Sequence, residues 1–350
     1  MPDKKILLIK TSSMGDVIHN LPVASDIRRA FPRAQIDWLV EESFADIPKL
    51  HPAVTNVITV AIRRWRGRWF GREARREREA FVAALQGTQY DHIIDTQGLL
   101  KSAWLARATC GRRCGYAFKS AREPLASWFY DDTYRVEKNL HAVERNRQLA
   151  AQCLAYALTE QADYGIRAPD TALNSALAWL HDAPAPTAEV GASKNGYAVL
   201  LHATSRADKL WAENRWIELA NALDQRGLGS ILVWGSEAEK NRSERLAAQI
   251  PGAVVAPQLS LQHAAALLAR ARVAIGVDTG LSHLAAALKI PVVGIYCATD
   301  PGLTGIYPAA GAAGVNLGSA GHPPTVAEVM AAIENIKTSK IILDGLHSSP

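Results

Sequence analysis

KILLIKTSSMGDVIHNLP, residues 5–22, sets a short apolar run against a glycine-bearing turn and then a stretch able to continue as a helix. A turn of this kind at the end of a strand usually cradles a phosphate through its backbone N–H groups. Here Asp16 stands beside Gly15, and an anion at that place repels a phosphate. The turn is therefore expected to serve a different substrate, or a different step.

The same strand-to-helix alternation runs along the chain. KILLIK (5–10), IDWLVE (36–41), NVITV (56–60) and HIIDTQG (92–98) are followed by YAVLLHAT (197–204), SILVWGS (230–236), AVVAP (253–257), VAIGVD (273–278) and PVVGIYC (291–297). Several of these runs are continuous rather than alternating, as parallel strands covered on both faces require. Between them lie amphipathic stretches such as NRWIELANALDQRG (214–227). The pattern predicts an α/β protein of two doubly wound, Rossmann-like domains, with about five strands in each. The glycine-rich GAAGVNLGSAG (311–321) reads as a loop. Proline and small residues break the rhythm near 160–195, with one helical stretch around TALNSALAWL, so the division is expected there. The expected organisation is a domain at 1–165, a connection at 166–195, a domain at 196–325, and a helix and tail at 326–350 that packs back on the N-terminal domain. TVAE (325–328) has the Thr-x-x-Glu pattern of a capping box and opens that helix. Two such domains are expected to face each other across a cleft lined by their strand C-termini.

With 350 residues, 48% hydrophobic and 21% charged, the chain has the balance of a globular enzyme long enough for two cores. Its apolar runs fall short of a membrane span and its N-terminus lacks the apolar region of a signal peptide, so a cytosolic protein is expected. Cys110, Cys114, Cys153 and Cys297 show neither Cys-x-x-Cys pairing nor a histidine at metal-ligand spacing, and read as reduced thiols. Between Arg63 and Glu79, eight arginines and three glutamates give a surplus of five, equal to the net charge of +5 of the whole chain. Trp65, Trp69 and Phe70 are interleaved with those arginines, which favours an anion-facing patch over a plain solvated helix. Nucleic acid, an anionic membrane surface and an acidic small substrate all fit such a patch.

The second half carries the sharper signals. In VDTGLSHLAAAL (277–288), Asp278 ends a strand, Thr279 and Gly280 make the turn, and a helix opens with its N–H groups and dipole available to an anion, His283 lying in its first turn. HATSRADKLW (202–211) leaves another strand with two hydroxyls, Thr204 and Ser205, and a cation, Lys209. Glu239 follows a third strand end, where an acid commonly accepts hydrogen bonds from ribose hydroxyls. The three turns together predict a nucleotide-diphosphate site. No GxGxxG follows a strand and no GxxxxGK[ST] is present, which disfavours a dinucleotide-dependent dehydrogenase and a P-loop kinase. No acidic pair or His/Cys cluster in the sequence suggests a metal, so no cofactor is expected.

KTSSMGDVIHNLP, AIRRWR, REPLASWFY (122–130), HAVERNR (141–147), HATSRADK and VDTGLSHLAAAL, in this order, resemble the type I lipopolysaccharide heptosyltransferases of glycosyltransferase family 9. The likeness spans roughly residues 4 to 305. It implies a GT-B fold and inverting, metal-independent transfer of L-glycero-D-manno-heptose from ADP-heptose, a co-substrate, to the inner Kdo of Kdo2-lipid A. By position it implies donor contacts at Thr204, Ser205, Lys209, Glu239, Leu259, Asp278, Thr279, Gly280 and His283, and a catalytic base at Asp16. Members of the family often carry Thr where Ser205 stands and Met where Leu259 stands. Arg63, Arg64 and Arg122 become acceptor contacts, with Lys10, Ser12, Ser13 and Gly15 nearer the chemistry. The acceptor's phosphates and carboxylates, in the anionic inner leaflet, suit the arginine patch and imply a peripheral place on the cytoplasmic face of the inner membrane, with no nucleic acid as partner. The alternatives are another GT-B nucleotide-sugar enzyme, type II-like or an epimerase, and a basic nucleic-acid-binding protein.

Overall fold

The computed structural model describes residues 4–68, 71–158, 161–168 and 195–346, with side chains through Ile336. The helix expected at TALNSALAWL lies outside the described residues, as do Trp69 and Phe70. The chain forms two compact units, Met1–Ile166 and Arg167–Pro350.

In the first unit six parallel strands, β1 (Lys5–Ile9), β2 (Gln35–Glu41), β3 (Val54–Val60), β4 (Gln89–Asp95), β5 (Cys110–Tyr116) and β6 (Asp132–Tyr134), lie in the order β3-β2-β1-β4-β5-β6. Leu8 pairs with Trp38 on one side and Ile94 on the other. The order reverses between β1 and β4, so the chain leaves those neighbouring strands in opposite directions and opens a crevice beyond their C-terminal ends. Helices α1 (Met14–Ile18), α2 (Leu21–Ala30), α3 (Asp46–Lys49), α4 (Ile62–Arg66), α5 (Arg72–Gln86), α6 (Leu100–Arg107) and α7 (Ala142–Leu154) connect or cover the strands. Asp26 of α2 and Arg147 of α7, both buried, pair at 2.8 Å and fasten the two helices together. Glu144 also binds Arg147 at 3.0 Å and Arg29 binds Asp26 at 3.1 Å, so the pair is the buried centre of a four-residue network.

The second unit repeats the topology. Strands β7 (Tyr197–Leu201), β8 (Gly229–Leu232), β9 (Val254–Val255), β10 (Val273–Val277), β11 (Val292–Tyr296) and β12 (Gly314–Gly318) lie in the order β12-β11-β10-β7-β8-β9, with the reversal between β7 and β10. Its core gathers Leu200, Ile275, Val293, Leu219 and the edge-on pair Trp211 and Trp216, ring centroids 5.1 Å apart. At Gly276, a Cβ would lie 2.2 Å from Ser282 Oγ and 2.8 Å from Leu201 Cβ. Glycine there lets the helix Gly280–Ala287 settle onto β10 and β7.

Each sheet therefore has six strands rather than about five. GAAGVNLGSAG contains β12, an edge strand paired along β11 from Val292–Gly314 to Tyr296–Gly318. Its glycines and half-buried side chains hide the apolar signal. CGRRCGY (β5) is hidden for another reason: two glycines and two arginines leave it no apolar run, and Gly115 must stay without a side chain because a Cβ there would meet the Tyr130 ring at 2.2 Å. The helix Val326–Leu346 begins with the expected capping box, Glu328 Oε2 accepting from Thr325 N at 2.7 Å. Its Val326, Val329, Met330, Ile333 and Ile336 belong to the core of the second unit. Among the described residues, no helix is long and apolar enough to cross a membrane.

Candidate active site

At the switch point of the first unit, the residues following β1 meet those following β4. Gln97 Oε1 accepts from both Thr11 N and Thr11 Oγ1 at 2.7 Å, and Gln97 Nε2 donates to the Ser12 carbonyl at 3.1 Å. Lys10 is buried, its Nζ donating to the Thr96 carbonyl at 2.8 Å and Asn146 Oδ1 at 3.3 Å. Burial is the main reason its pKa falls from 10.5 to about 8; Asp16 and Asp95 oppose the fall, while Arg145 and Arg122 add to it. Lys10 is thus buried beneath the turn and held there by its two bonds. Lys101, at the start of α6, donates to Ser12 Oγ at 2.8 Å. Desolvation lowers its pKa; Glu41 and Asp16 act against that shift, and Arg63 and Arg122 with it. Asp16, Lys10, Lys101, Arg63 and Arg122 therefore share one electrostatic neighbourhood.

Asp16 is the third residue of α1. Its Oδ2 accepts from Ser13 N and Ser13 Oγ, both at 2.8 Å, so the carboxylate closes the first turn. Its Oδ1 accepts no hydrogen bond from a described residue. Gly15, one residue before, is half-buried.

The arginine patch is more structural than its sequence indicates. Arg64 is bound by Glu42 at 3.2 Å and Glu77 at 2.7 Å. Trp65 is 4% exposed, packed edge-on to Phe81 at 5.7 Å, with its indole N–H on Glu77 Oε2 at 2.7 Å. The reading of Trp65 as an anion-facing or interfacial residue is corrected: it is the anchor that lets α4 and α5 join the core. Arg64 is thus engaged by two acids of its own unit, with its side chain still exposed. Arg63 keeps its guanidinium over the Phe44 ring at 4.7 Å while its N–H donates to Glu41. Neither it nor the exposed Arg122 makes an ion pair with a described residue.

In the second unit, Asp278 organises the turn after β10. Lys209 Nζ donates to its Oδ2 at 2.6 Å and Thr299 Oγ1 to the same oxygen at 2.9 Å; His283 Nε2 lies 3.9 Å from Oδ1, and Thr204 Oγ1 donates to the backbone carbonyl of Asp278 at 3.2 Å. Burial alone would raise the carboxyl's pKa, but the bonds from His283, Lys209 and Thr299 overcome it and hold the acid ionised well below the usual range. Thr279 caps the helix Gly280–Ala287 without spending its side chain, so its hydroxyl and the first N–H groups are free for an anion. His283 is buried and turned to the acid, rather than standing at the surface. Ser205 is exposed, and Leu259 is half-buried just after β9. Glu239 repeats the arrangement of Asp16: its Oε2 closes a capping box on Gly235 N at 2.7 Å and Ser236 N at 3.1 Å.

The sequence reading missed Gln97, Lys101, Asn146 and Thr299. The first two were within its reach: DTQGLLKS is itself a strand-end turn opening a helix, but was read only as the end of a strand. Asn146 and Thr299 come from elements whose spacing carries no such mark.

Two doubly wound units, each with side chains gathered at its own switch point, define the chain as a GT-B glycosyltransferase. The family model of glycosyltransferase family 9 (heptosyltransferase) matches residues 78–331. The lipopolysaccharide heptosyltransferase 1 of Pseudomonas aeruginosa is 48% identical over 318 residues, 90% of this chain and 84% of that protein, and its Escherichia coli K12 counterpart is 46% identical over 305 residues, 87% and 91%. E. coli heptosyltransferase WaaC, solved with ADP and with ADP-2-deoxy-2-fluoro heptose, superposes with TM-scores of 0.82 and 0.80 at 43% and 42% identity, covering 95% of this chain and 99% of that one. The chain belongs to glycosyltransferase family 9, the heptosyltransferases. Its chemistry is heptose transfer in lipopolysaccharide core synthesis.

Proposed function

We propose that the chain moves L-glycero-D-manno-heptose from ADP-heptose to the inner Kdo of Kdo2-lipid A, with inversion at the anomeric carbon and no required metal. The observation that carries the donor half is the Asp278 cluster at the β7/β10 switch point, supported by the ADP-heptose analogue bound to the 42% identical WaaC. Lys209, Thr204, Ser205, Thr279 and the helix N-terminus at Gly280 take the diphosphate. Asp278 holds Lys209 and His283 in place. The lysine and the helix dipole stabilise negative charge as ADP departs, which is electrostatic catalysis by groups already in position. Glu239, with Oε2 spent on its cap, has Oε1 left for a ribose hydroxyl, and Leu259 supplies an apolar contact to the donor.

In the acceptor half, the attacking hydroxyl must lose its proton as the new bond forms on the face opposite the leaving group. Asp16 Oδ1 takes that proton. Ser13 holds the carboxylate through its other oxygen, and Ser12, fixed by Lys101, borders the path of the sugar, where Gly15 leaves room. Arg63 and Arg122 meet the acceptor's anionic groups, with Lys10 and Lys101 supporting them. A peripheral place on the anionic inner leaflet follows from the exposed arginines together with Trp128 and Leu125, 75% and 44% exposed beside Arg122. These two replace Trp65 as the interfacial residues. The reading is tested by incubating the protein with ADP-heptose and Kdo2-lipid A, with and without chelator. Release of ADP with gain of one heptose on the lipid in both arms is expected; no product from this pair overturns it.

A further inference from the structure

His92 on β4, Cys114 on β5 and Cys153 near the end of α7 come from three separate elements, yet one ligand atom from each lies within 4.8 Å of the other two. Cys153 Sγ is 3.9 Å from His92 Nδ1, and Asp132 Oδ2 on β6 is 4.0 Å from Cys114 Sγ. Cys114 and Cys153 are buried, at 1% and 8% exposure, while His92 is half-buried and gives the cluster a way to solvent. A tetrahedral Zn²⁺, with bonds of about 2.3 Å to sulfur and about 2.0 Å to nitrogen, sets its ligand atoms about 3.5–3.8 Å apart. The Cys153–His92 pair needs to close by only a few tenths of an ångström to meet that spacing, and no pair of the three by more than roughly 1 Å.

We propose that His92, Cys114 and Cys153 bind one Zn²⁺-class ion, with Asp132 the oxygen ligand within reach. Two thiolates and an imidazole suit a borderline-soft cation and disfavour Mg²⁺ or Ca²⁺, which take oxygen ligands. Arg112 binds both Asp132 oxygens, Nε on Oδ2 and Nη2 on Oδ1 at 2.9 Å, so Asp132 joins the ion by releasing Oδ2 from Nε while Oδ1 keeps Nη2. The ion ties the C-terminal end of α7 to β4 and β5. The earlier part of that helix holds Lys10 through Asn146 and Asp26 through Arg147, so the role is to brace the helix that supports the acceptor turn, and no step of the transfer passes through the metal. Sequence spacing could not show the site, because its ligands stand 22 and 39 residues apart along the chain and meet only in the fold.

The test is a Co²⁺ titration of the full, reduced chain after chelator treatment. One equivalent is expected to give the near-ultraviolet thiolate-to-cobalt charge-transfer band with intense visible bands of a tetrahedral ion, displaced by Zn²⁺. Cys114→Ser and Cys153→Ser should each lose much of the charge-transfer band. His92→Ala should weaken binding at least about tenfold, since loss of even an outer-shell partner typically costs 10–100-fold. Cys110→Ser with Cys297→Ser should change nothing. Should the cluster variants fail to fold, alkylation of the wild type decides: Zn²⁺ should protect Cys114 and Cys153 while Cys110 and Cys297 still react. Absence of a thiolate band at stoichiometric Co²⁺, a band that survives replacement of both Cys114 and Cys153, or alkylation of those two cysteines unaffected by Zn²⁺ overturns the proposal.

Discussion

Lys209 Nζ donates to Asp278 Oδ2 at 2.6 Å, so the cation proposed for the donor diphosphate is already held by an acid. An ammonium has three donors, and the pair can keep its bond while Lys209 offers another to a phosphate oxygen. Replacing Lys209 by alanine removes a charge-assisted bond worth about 1.5–3 kcal/mol and also leaves the Asp278 carboxylate facing the diphosphate. Lys209→Ala should raise the KM for ADP-heptose at least about tenfold. Asp278→Asn in the same chain should recover part of the loss, as residues in one network do not act additively. Unchanged donor kinetics in Lys209→Ala would remove the lysine from the site.

The two arginine neighbours should now separate. Arg63→Glu with Arg122→Glu is expected to raise the acceptor's KM far more than the donor's, with a defect that varies with salt, because neither guanidinium is claimed by an acid of the described residues. Arg64→Ala should leave both KM values within about threefold, since Arg64 is engaged by exposed ion pairs that contribute about 0–1 kcal/mol. Steady-state kinetics on both substrates, at low and physiological salt, check this. Equal effects of the Arg63/Arg122 change on both substrates would make the patch a structural feature only.

Lys10 gives the fold a pH signature. Its pKa in the folded chain, about 8, lies below the ordinary 10.5, and burial is the principal cause. Below about pH 8 both states hold the proton and burial of the charge weakens the fold. As pH rises from about 8 toward 10.5, the folded state releases its proton while the unfolded chain keeps it, so stability increases. Lys10→Met should lack that increase. Denaturant unfolding of both proteins at several pH values between 7 and 10.5 measures it, and parallel profiles would contradict the buried cation.

Chelation should leave transfer intact. In the proposed mechanism Lys209 and the N-terminus at Gly280 supply the positive charge for the leaving diphosphate, and the proposed ion at His92, Cys114 and Cys153 acts on stability rather than on turnover. EDTA is expected to keep kcat within about twofold of its value without chelator. Activity lost to EDTA and returned by Mg²⁺ would require a catalytic ion in the donor site.

The cluster of Thr204, Asp278 and Thr279 was legible because each follows the end of a continuous apolar run, where a parallel strand must deliver its turn to the ligand edge, and Lys209 joins them from the short turn Ala207–Lys209 further on. The two doubly wound units were legible for the same reason. CGRRCGY and GVNLG escaped, since glycine and polar residues at most of their positions leave no continuous apolar run. Trp65 misled in the other direction: an indole among arginines resembles an interfacial residue until Glu77 is seen to take its N–H and the N–H groups of Arg64 together. Lys101 reaches Ser12 from 89 residues away, and Thr299 reaches Asp278 across 21; local pattern carries neither contact. Asp16, implied as the base by the family resemblance, closes the first turn of its helix through Oδ2, and the proposed proton transfer falls to Oδ1.

That division of labour within one carboxylate is the centre of the account, and Asp16→Asn tests it. An asparagine carbonyl oxygen still accepts from Ser13 N and Ser13 Oγ, so the first turn of α1 keeps its closure and the side chain loses only its ability to take a proton. Turnover with ADP-heptose and Kdo2-lipid A should fall by roughly 10²-fold or more, with melting temperature and ADP-heptose affinity close to wild type. Wild-type turnover in Asp16→Asn would contradict the account, leaving Asp16 as the cap of its helix and the proton to another group.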